Sequence, residues 1–166
     1  MTLFRAATIA YLALMYGASA AEVPDPIAAK EETEVARAHA EGAQIYECTA
    51  GPSGTQLSWQ FREPIAALFR DGITVGLHYA GPQWEVGESL IGAKVSASAP
   101  SPSGKDISWL KLEVTTPADD GPLKDVTTVQ RINTVGGVLE GACEKGGELR
   151  PAPYGADYVF LKKTQP

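Results

Sequence analysis

The sequence predicts an all-β fold, a single-domain antiparallel β-sandwich or barrel stapled by one disulfide. Three observations support this prediction. Short runs of alternating apolar and polar residues recur along the chain, Gly- and Pro-rich turns separate them, and no 3.6-residue apolar periodicity is sustained after Glu41. Sandwiches and closed barrels share this pattern, so the sequence leaves both architectures open.

The N-terminal residues resemble an export signal. Residues 1–20 combine a positive charge at Arg5, an uncharged apolar run and small residues at Ala18 and Ala20, as secretory signal peptides do. The apolar run is shorter than the roughly 20 residues that span a bilayer. We therefore expect cleavage after Ala20, no membrane span in the rest of the chain, and a secreted or periplasmic protein. Residues 21–30, which contain Pro24 and Pro26 without apolar periodicity, are expected to be a flexible leader to one domain over residues 31–166.

The first element of the domain has two interpretations. Residues 31–41 are rich in helix formers, which favours a helix, but they also alternate as a strand does and precede a series of strand-like runs. Asp71 and Gly72 tolerate positive φ and predict a two-residue hairpin turn. Pro64 is expected to end the run before it, and residues 141–153 are expected to be irregular. The strand-like runs lie at residues 43–48, 57–61, 65–69, 73–79, 90–97, 107–115, 126–135 and 154–161.

Charge and metal-ligating residues exclude several function classes. The formal net charge of −6 argues against binding to nucleic acid or anionic lipid, since both select basic patches. The chain has two histidines, two cysteines and no Cys-x-x-Cys, so no metal site is expected. No Gly-x-Gly-x-x-Gly follows a strand, and no cofactor is expected.

The two cysteines, Cys48 and Cys143, lie near the two ends of the expected domain. In an oxidising compartment, two cysteines far apart in sequence most often form one disulfide. This bond would join an early strand to the segment before the last strand. Free thiols are the alternative if the two segments are not neighbours.

The densest chemistry lies in residues 76–85, GLHYAGPQWE, where four functional side chains crowd a Gly-Pro corner. His78 and Glu85 are the catalytic candidates, with His78 as a general base assisted by Glu85. His78, Tyr79, Trp84 and Glu85 are also ligand-binding candidates. The structural interpretation, which we favour, is a tightly packed corner in which Trp84 is a large core residue and the nitrogens of His78 have backbone or carboxylate partners.

Arg131 is a further ligand-binding candidate, because a guanidinium can clamp a substrate carboxylate through two parallel hydrogen bonds. The simpler expectation is a salt bridge between Arg131 and Glu47, Glu85 or Asp157. Arg131 and Asn133 are two residues apart in one strand, so we expect them on the same face.

Four stretches give the chain a resemblance to a known family. They are residues 42–48 (GAQIYEC), 75–85 (VGLHYAGPQWE), 130–137 (QRINTVGG) and 153–160 (PYGADYVF). In order and spacing they are similar to the DUF3455 family, a domain of unknown function in secreted bacterial and fungal proteins. Residues 107–111 (ISWLK) depart from the family's Ile-Pro-Trp-Leu-Leu, and Val138-Leu139 replaces Ala-Pro. The resemblance implies that Cys48 and Cys143 occupy the family's cysteine positions and that residues 35–40 form a strand; it implies no activity.

The leading functional hypothesis is a secreted or periplasmic all-β module without catalysis, with a binding or structural role. A small molecule or a glycan is the expected kind of ligand if the module binds one. The alternative is a hydrolase or lyase that acts on an envelope or extracellular polymer through His78 and Glu85. A deep polar pocket around His78 would favour the alternative, and a filled, dry corner would favour the first hypothesis.

Overall fold

A computed structural model describes residues 22–51, 54 and 56–164, so the expected signal peptide lies outside the described residues. The described residues form eight strands and one short 3-10 turn. The strands are β1 (Glu32–Ala50), β2 (Leu57–Arg70), β3 (Ile73–Tyr79), β4 (Gln83–Val86), β5 (Ser89–Ala99), β6 (Trp109–Thr116), β7 (Thr128–Gly136) and β8 (Leu149–Lys163). No helix in the described part of the chain is long and apolar enough to cross a membrane.

The strands form a closed antiparallel barrel. Each strand pairs with the next along the chain, and β8 returns to pair with β1. This closing ladder is long, since it begins with Glu32 opposite Lys163 and ends with Glu47 opposite Leu149. The all-β prediction is confirmed, and the β1–β8 ladder selects the barrel over the sandwich.

Residues 32–41 belong to β1 and not to a helix, as the resemblance implied for residues 35–40. Strand β1 pairs with β2 on one side and β8 on the other, and these two ladders override the local helix propensity. The Asp71-Gly72 hairpin is confirmed: both residues have positive φ, 52° and 77°, between the paired Arg70 and Ile73.

The expectation that Pro64 ends a strand was wrong, because β2 runs through it without a break. Two features accommodate the proline. The β1–β2 register shifts next to it, between Ile45 and Tyr46, and the pairing of β2 with β3 begins only at Ala66. Proline is tolerated at such bulges and at strand segments that lack a neighbour on one side.

The expected flexible leader instead packs on the barrel over its described residues. Asp25–Ile27 form the 3-10 turn, and the Ile27 side chain is fully buried. Gln130 of β7 donates from Nε2 to the Ile27 carbonyl oxygen at 2.6 Å, and Lys111 of β6 donates to the Ala28 carbonyl oxygen at 3.2 Å. This contact covers an apolar cluster on the outer face of the barrel, which comprises Ile27, Ala99, Trp109, Ile132, Val159 and Leu161.

The Cys48–Cys143 disulfide is confirmed, with the two Cα atoms 5.8 Å apart. It holds the β7–β8 connection, residues 137–148, against the C-terminal end of β1. Backbone hydrogen bonds support the same contact: Cys143 donates to the Leu57 carbonyl oxygen at 3.2 Å, and Gly147 donates to that of Cys48 at 2.8 Å. The irregular segment expected over residues 141–153 is shorter than predicted, because β8 begins at Leu149.

The barrel interior is packed at one end and open at the other. Small, branched and aromatic apolar side chains fill the packed end, because inward residues alternate along each strand. They include Ala38, Ala40, Leu68, Val86, Ile91 and Phe160. At the other end the lining residues come from the second halves of β1, β3 and β5, from the first halves of β2, β4 and β6, and from Arg131 in β7 and Tyr158 in β8.

Candidate functional site

A cavity of about 1200 Å³ occupies the open end of the barrel. The connections β3–β4, β5–β6 and β7–β8 contribute to its rim. Its wall combines apolar and polar surface in nearly equal shares and includes five charged residues, Arg62, Lys105, Asp106, Arg131 and Glu140. The aromatic lining residues are Tyr46, Trp59, Phe61, Trp84 and Tyr158, and the polar ones include Gln44, His78 and Arg131.

The floor of the cavity is a stack of two rings. His78 in β3 and Trp84 in β4 are cross-strand partners, so both side chains point into the barrel. Their rings are 4.6 Å apart and nearly parallel, at 9°. Tyr158 meets both rings edge-on, at 4.8 Å from His78 and 5.3 Å from Trp84. The corner is therefore densely packed on one side and borders an open cavity on the other.

Tyr79 and Glu85 lie on the opposite, outer face of the same hairpin. Their side chains contact each other through a hydrogen bond from the Tyr79 hydroxyl to Glu85 Oε2 at 3.4 Å. Successive residues of a strand point to opposite faces, so Tyr79 is separated from His78 and Glu85 from Trp84. The structure does not bring the catalytic candidates His78 and Glu85 together.

His78 is neutral in this environment. Its Nδ1 lies 2.8 Å from the Gln83 carbonyl oxygen, which can only accept, so Nδ1 carries the proton and donates it. Burial lowers the pKa of His78 to about 4, and the nearby charge of Arg131 adds to the shift while the bond to Gln83 opposes it. With this pKa, His78 is a weak general base at neutral pH.

Arg131 projects from β7 into the cavity and holds none of the expected salt bridges. Its Nε and Nη2 donate to the Ser108 carbonyl oxygen at 3.2 and 2.8 Å. The expected carboxylate partners are engaged elsewhere or remote: Glu47 pairs with Arg62, Asp157 pairs with His39, and Glu85 is on the outer face. The salt-bridge expectation was therefore wrong.

The expectation that Arg131 and Asn133 share a face was also wrong. Asn133 lies outside the barrel, where its Nδ2 donates to Asp157 Oδ2 at 2.8 Å. The β7–β8 register shifts between Ile132 and Val135, and Asn133 has a positive φ of 51°. Such a bulge breaks the two-residue alternation on which the expectation depended.

Tyr46 and Gln44 are cavity residues that sequence reasoning did not select. The Tyr46 hydroxyl donates to the Gly137 carbonyl oxygen at 2.8 Å and so ties β1 to the start of the β7–β8 connection. Gly137 has a φ of 80°, and a Cβ there would lie 2.9 Å from side-chain atoms of Ile107 and Tyr154, so only glycine fits. The available signal was the alternation of Gln44, Tyr46 and Cys48, which places them on one face of the strand.

The three tryptophans do not form one stacking platform. Trp84 is on the cavity floor, whereas Trp109 is buried on the outer face beneath the N-terminal segment. Trp59 lines the cavity wall, and the Arg150 guanidinium carbon lies 4.4 Å from the centre of its ring.

In the described part of the chain, no group of three or more His, Cys, Asp or Glu side chains is placed to hold a metal ion.

Comparison with known families gives one match. A family model described as "Protein of unknown function (DUF3455)" matches residues 28–74 and 70–162. These two segments contain every residue of the cavity lining and all of the barrel strands except Lys163 at the end of β8. No curated protein and no solved structure matches the chain.

Proposed function

We propose that this chain, which belongs to the DUF3455 family of proteins of unknown function, is a non-catalytic binding protein that holds a small molecule in the open end of its barrel. The cavity is the observation that carries the proposal. At about 1200 Å³ it has room for a ligand of several rings. Eight-stranded barrels are wide enough to hold one small ligand when side chains do not fill them.

The shape of the cavity favours a small molecule over a glycan chain. The apolar core fills the other end of the barrel, so a ligand can enter only through the rim. A polymer would have to present a chain end, whereas a compact molecule enters whole. The aromatic floor and wall suit a flat, largely apolar body, because rings gain from stacked and edge-on contacts beyond the area that they bury.

The alternative, a hydrolase or lyase, has less support even though His78 borders an open cavity. Its two proposed catalytic groups, His78 and Glu85, lie on opposite faces of one hairpin. The lowered pKa of His78 also weakens it as a base. A buried neutral histidine with its Nδ1–H bonded to backbone is well suited to the floor of a binding site.

The proposal includes export to the periplasm or the medium. The signal-peptide pattern of residues 1–20 and the Cys48–Cys143 disulfide support it, because disulfides persist mainly in oxidising compartments. Intact-mass measurement of protein recovered from the periplasm or medium would test it: we expect a chain that begins at Ala21. A mass that still includes residues 1–20 would contradict cleavage.

The binding test uses the fluorescent probe 8-anilinonaphthalene-1-sulfonate and two tryptophan variants in β5. Ser98 lines the cavity, so Ser98→Trp should obstruct it, whereas Ser96 is exposed and its hydroxyl donates to the Lys111 carbonyl oxygen outside the cavity. We expect saturable binding of the probe to the parent protein and to Ser96→Trp, and at least tenfold weaker binding to Ser98→Trp. Thermal unfolding of both variants checks that they fold. Equal probe binding by the two variants, or no saturable binding by the parent, would refute the proposed function.

A further inference from the structure

We infer that the ligand of this cavity carries a carboxylate, which binds to Arg131, on a flat apolar body that lies against the aromatic wall at Tyr46 and Phe61. The inference rests on the proposed function, because it assigns a ligand class to the same cavity. It depends on three features: the unoccupied edge of the Arg131 guanidinium, the lack of a carboxylate beside it, and the aromatic surface nearby.

The hydrogen bonds of Arg131 leave one edge of its guanidinium available. Nε and Nη2 both donate to one acceptor, the Ser108 carbonyl oxygen, and this contact occupies the side edge of the group. The Tyr158 side chain is a further hydrogen-bond partner of Arg131. A guanidinium has five N–H donors, so the end edge formed by Nη1 and Nη2 still holds donors beyond those used by Ser108 and Tyr158. That edge matches the two oxygens of a carboxylate, which can accept two parallel hydrogen bonds. The Ser108 carbonyl holds the group in place before a ligand arrives.

The charge of Arg131 is not neutralised by the protein. Among residues 22–51, 54 and 56–164, no carboxylate oxygen lies within 4.0 Å of its nitrogens. Two acidic residues line the cavity, Asp106 and Glu140. Asp106 accepts hydrogen bonds from the Gly136 amide and the Ser103 hydroxyl, and Glu140 forms no ion pair with Arg131. Arg62, which also lines the cavity, is by contrast paired with Glu47 at 3.6 Å and Glu63 at 3.3 Å.

The positive charge of Arg131 shifts the pKa values of ionisable side chains at the cavity floor. It adds to the effect of burial in lowering the pKa of His78. Burial raises the pKa values of Tyr154 and Tyr158, and the same charge opposes both shifts. All three effects have the sign of a positive potential at the floor, although the whole chain has a net charge of −6. An anionic group is stabilised there, and more strongly than at the surface because the site is partly shielded from water.

The aromatic lining of the cavity selects what the carboxylate is attached to. The His78 and Trp84 rings are parallel and buried, and the Tyr158 ring stands edge-on to them. Because these rings are almost fully buried, a flat ring of the ligand meets the more accessible Tyr46 and Phe61 rings of the cavity wall, whose centroids are 5.9 Å apart. A single arginine, furthermore, suits a monoanionic carboxylate better than a phosphate dianion, which usually recruits several donors.

The test compares two probes of nearly the same shape, 2-naphthoate and 2-naphthamide, by their displacement of 8-anilinonaphthalene-1-sulfonate. For the parent protein we expect naphthoate to bind about tenfold more tightly than naphthamide, as one charge-assisted bidentate contact provides. Arg131→Gln should make the two affinities equal by weakening only naphthoate. Arg70→Gln, the matched control, removes an arginine that lies outside the cavity and donates to the Arg37 carbonyl oxygen, and it should keep the parent's preference. Arg131→Lys retains the charge and should keep part of the preference for naphthoate. This variant tests the inference if Arg131→Gln does not fold.

Equal affinity of the parent for the two probes, or a preference that survives in Arg131→Gln, would overturn the carboxylate inference. Neither result would affect the proposed function, provided that both probes still displace the fluorophore and Ser98→Trp still blocks it. If neither probe binds and the fluorophore binds equally to Ser98→Trp and Ser96→Trp, the proposed function is refuted, and the ligand class with it.

Discussion

Reduction of the Cys48–Cys143 disulfide should destabilise the barrel strongly. The bond joins residues 95 positions apart. Loop closure of that length removes enough entropy from the unfolded chain to stabilise the fold by roughly 4 to 5 kcal/mol. For a domain of this size, such a loss lowers the melting temperature by roughly 10 to 15 °C. The effect should reach the cavity too, because the bond anchors the connection that supplies Val138, Leu139 and Glu140 to its wall.

The measurement is thermal unfolding, followed by tryptophan fluorescence with and without a phosphine reductant, beside the double variant Cys48→Ala/Cys143→Ala. Cys48 is fully buried, so the variant loses packing as well as the bond, and the parent in the two redox states isolates the bond itself. The melting temperature of the variant should be close to that of the reduced parent and should not change when the reductant is added. A parent with two titratable thiols that melts within a few degrees of the oxidised form would refute the reasoning, since the loop would then contribute little entropy.

Three further predictions concern buried residues. The pKa of His78 falls from an ordinary 6.5 to about 4 on folding, so between these pH values the unfolded chain binds a proton that the folded chain does not. The contribution of neutral His78 to the free energy of unfolding is therefore complete above pH 6.5, and about 3 kcal/mol of it is lost by pH 4. Urea unfolding at both pH values should show this loss in the parent and not in His78→Gln, and parallel pH profiles would contradict it. Trp84→Ala should reduce the free energy of unfolding by about 3 to 5 kcal/mol as a core cavity, whereas unchanged stability would mean that the floor contributes little to packing. Ile27→Ala should cost about 2 to 4 kcal/mol because its side chain is fully buried; a parent-like urea midpoint would instead favour the flexible leader expected from the sequence.

Local chemistry was sufficient to predict most of the strands and their main turn, but it missed β4 and divided β2 at Pro64. Alternation marks residues that can have one buried and one exposed face, and the Asp71-Gly72 pair forms the hairpin because both residues accept positive φ. The cysteine pairing was likewise accessible, because a chain with two cysteines allows only one intramolecular disulfide. The strand over residues 31–41 was ambiguous locally, because its helix-forming composition is outweighed only by partners distant in sequence.

The candidate site was predicted in part. Residues 76–85 do border the cavity through His78 and Trp84, but alternation sends Tyr79 and Glu85 to the outside. That separation follows from the two-residue period of the strand once the hairpin is placed. The other cavity residues come from strands far away along the chain, such as Tyr158 in β8, and no local pattern identifies them.

The sequence by itself therefore determined the strand pattern, the hairpin turn and the cysteine pair, because these depend on neighbouring residues or on simple counts. Only the tertiary structure decided that β8 closes on β1 to form a barrel, that this barrel is packed at one end and open at the other, and that Ile27 is buried against its outer face. The orientation of Arg131 belongs to the same group. A bulge at Asn133 separates two residues that a regular strand would keep on one face, and the register of long-range pairing, which sets such bulges, depends on the packing of the whole barrel.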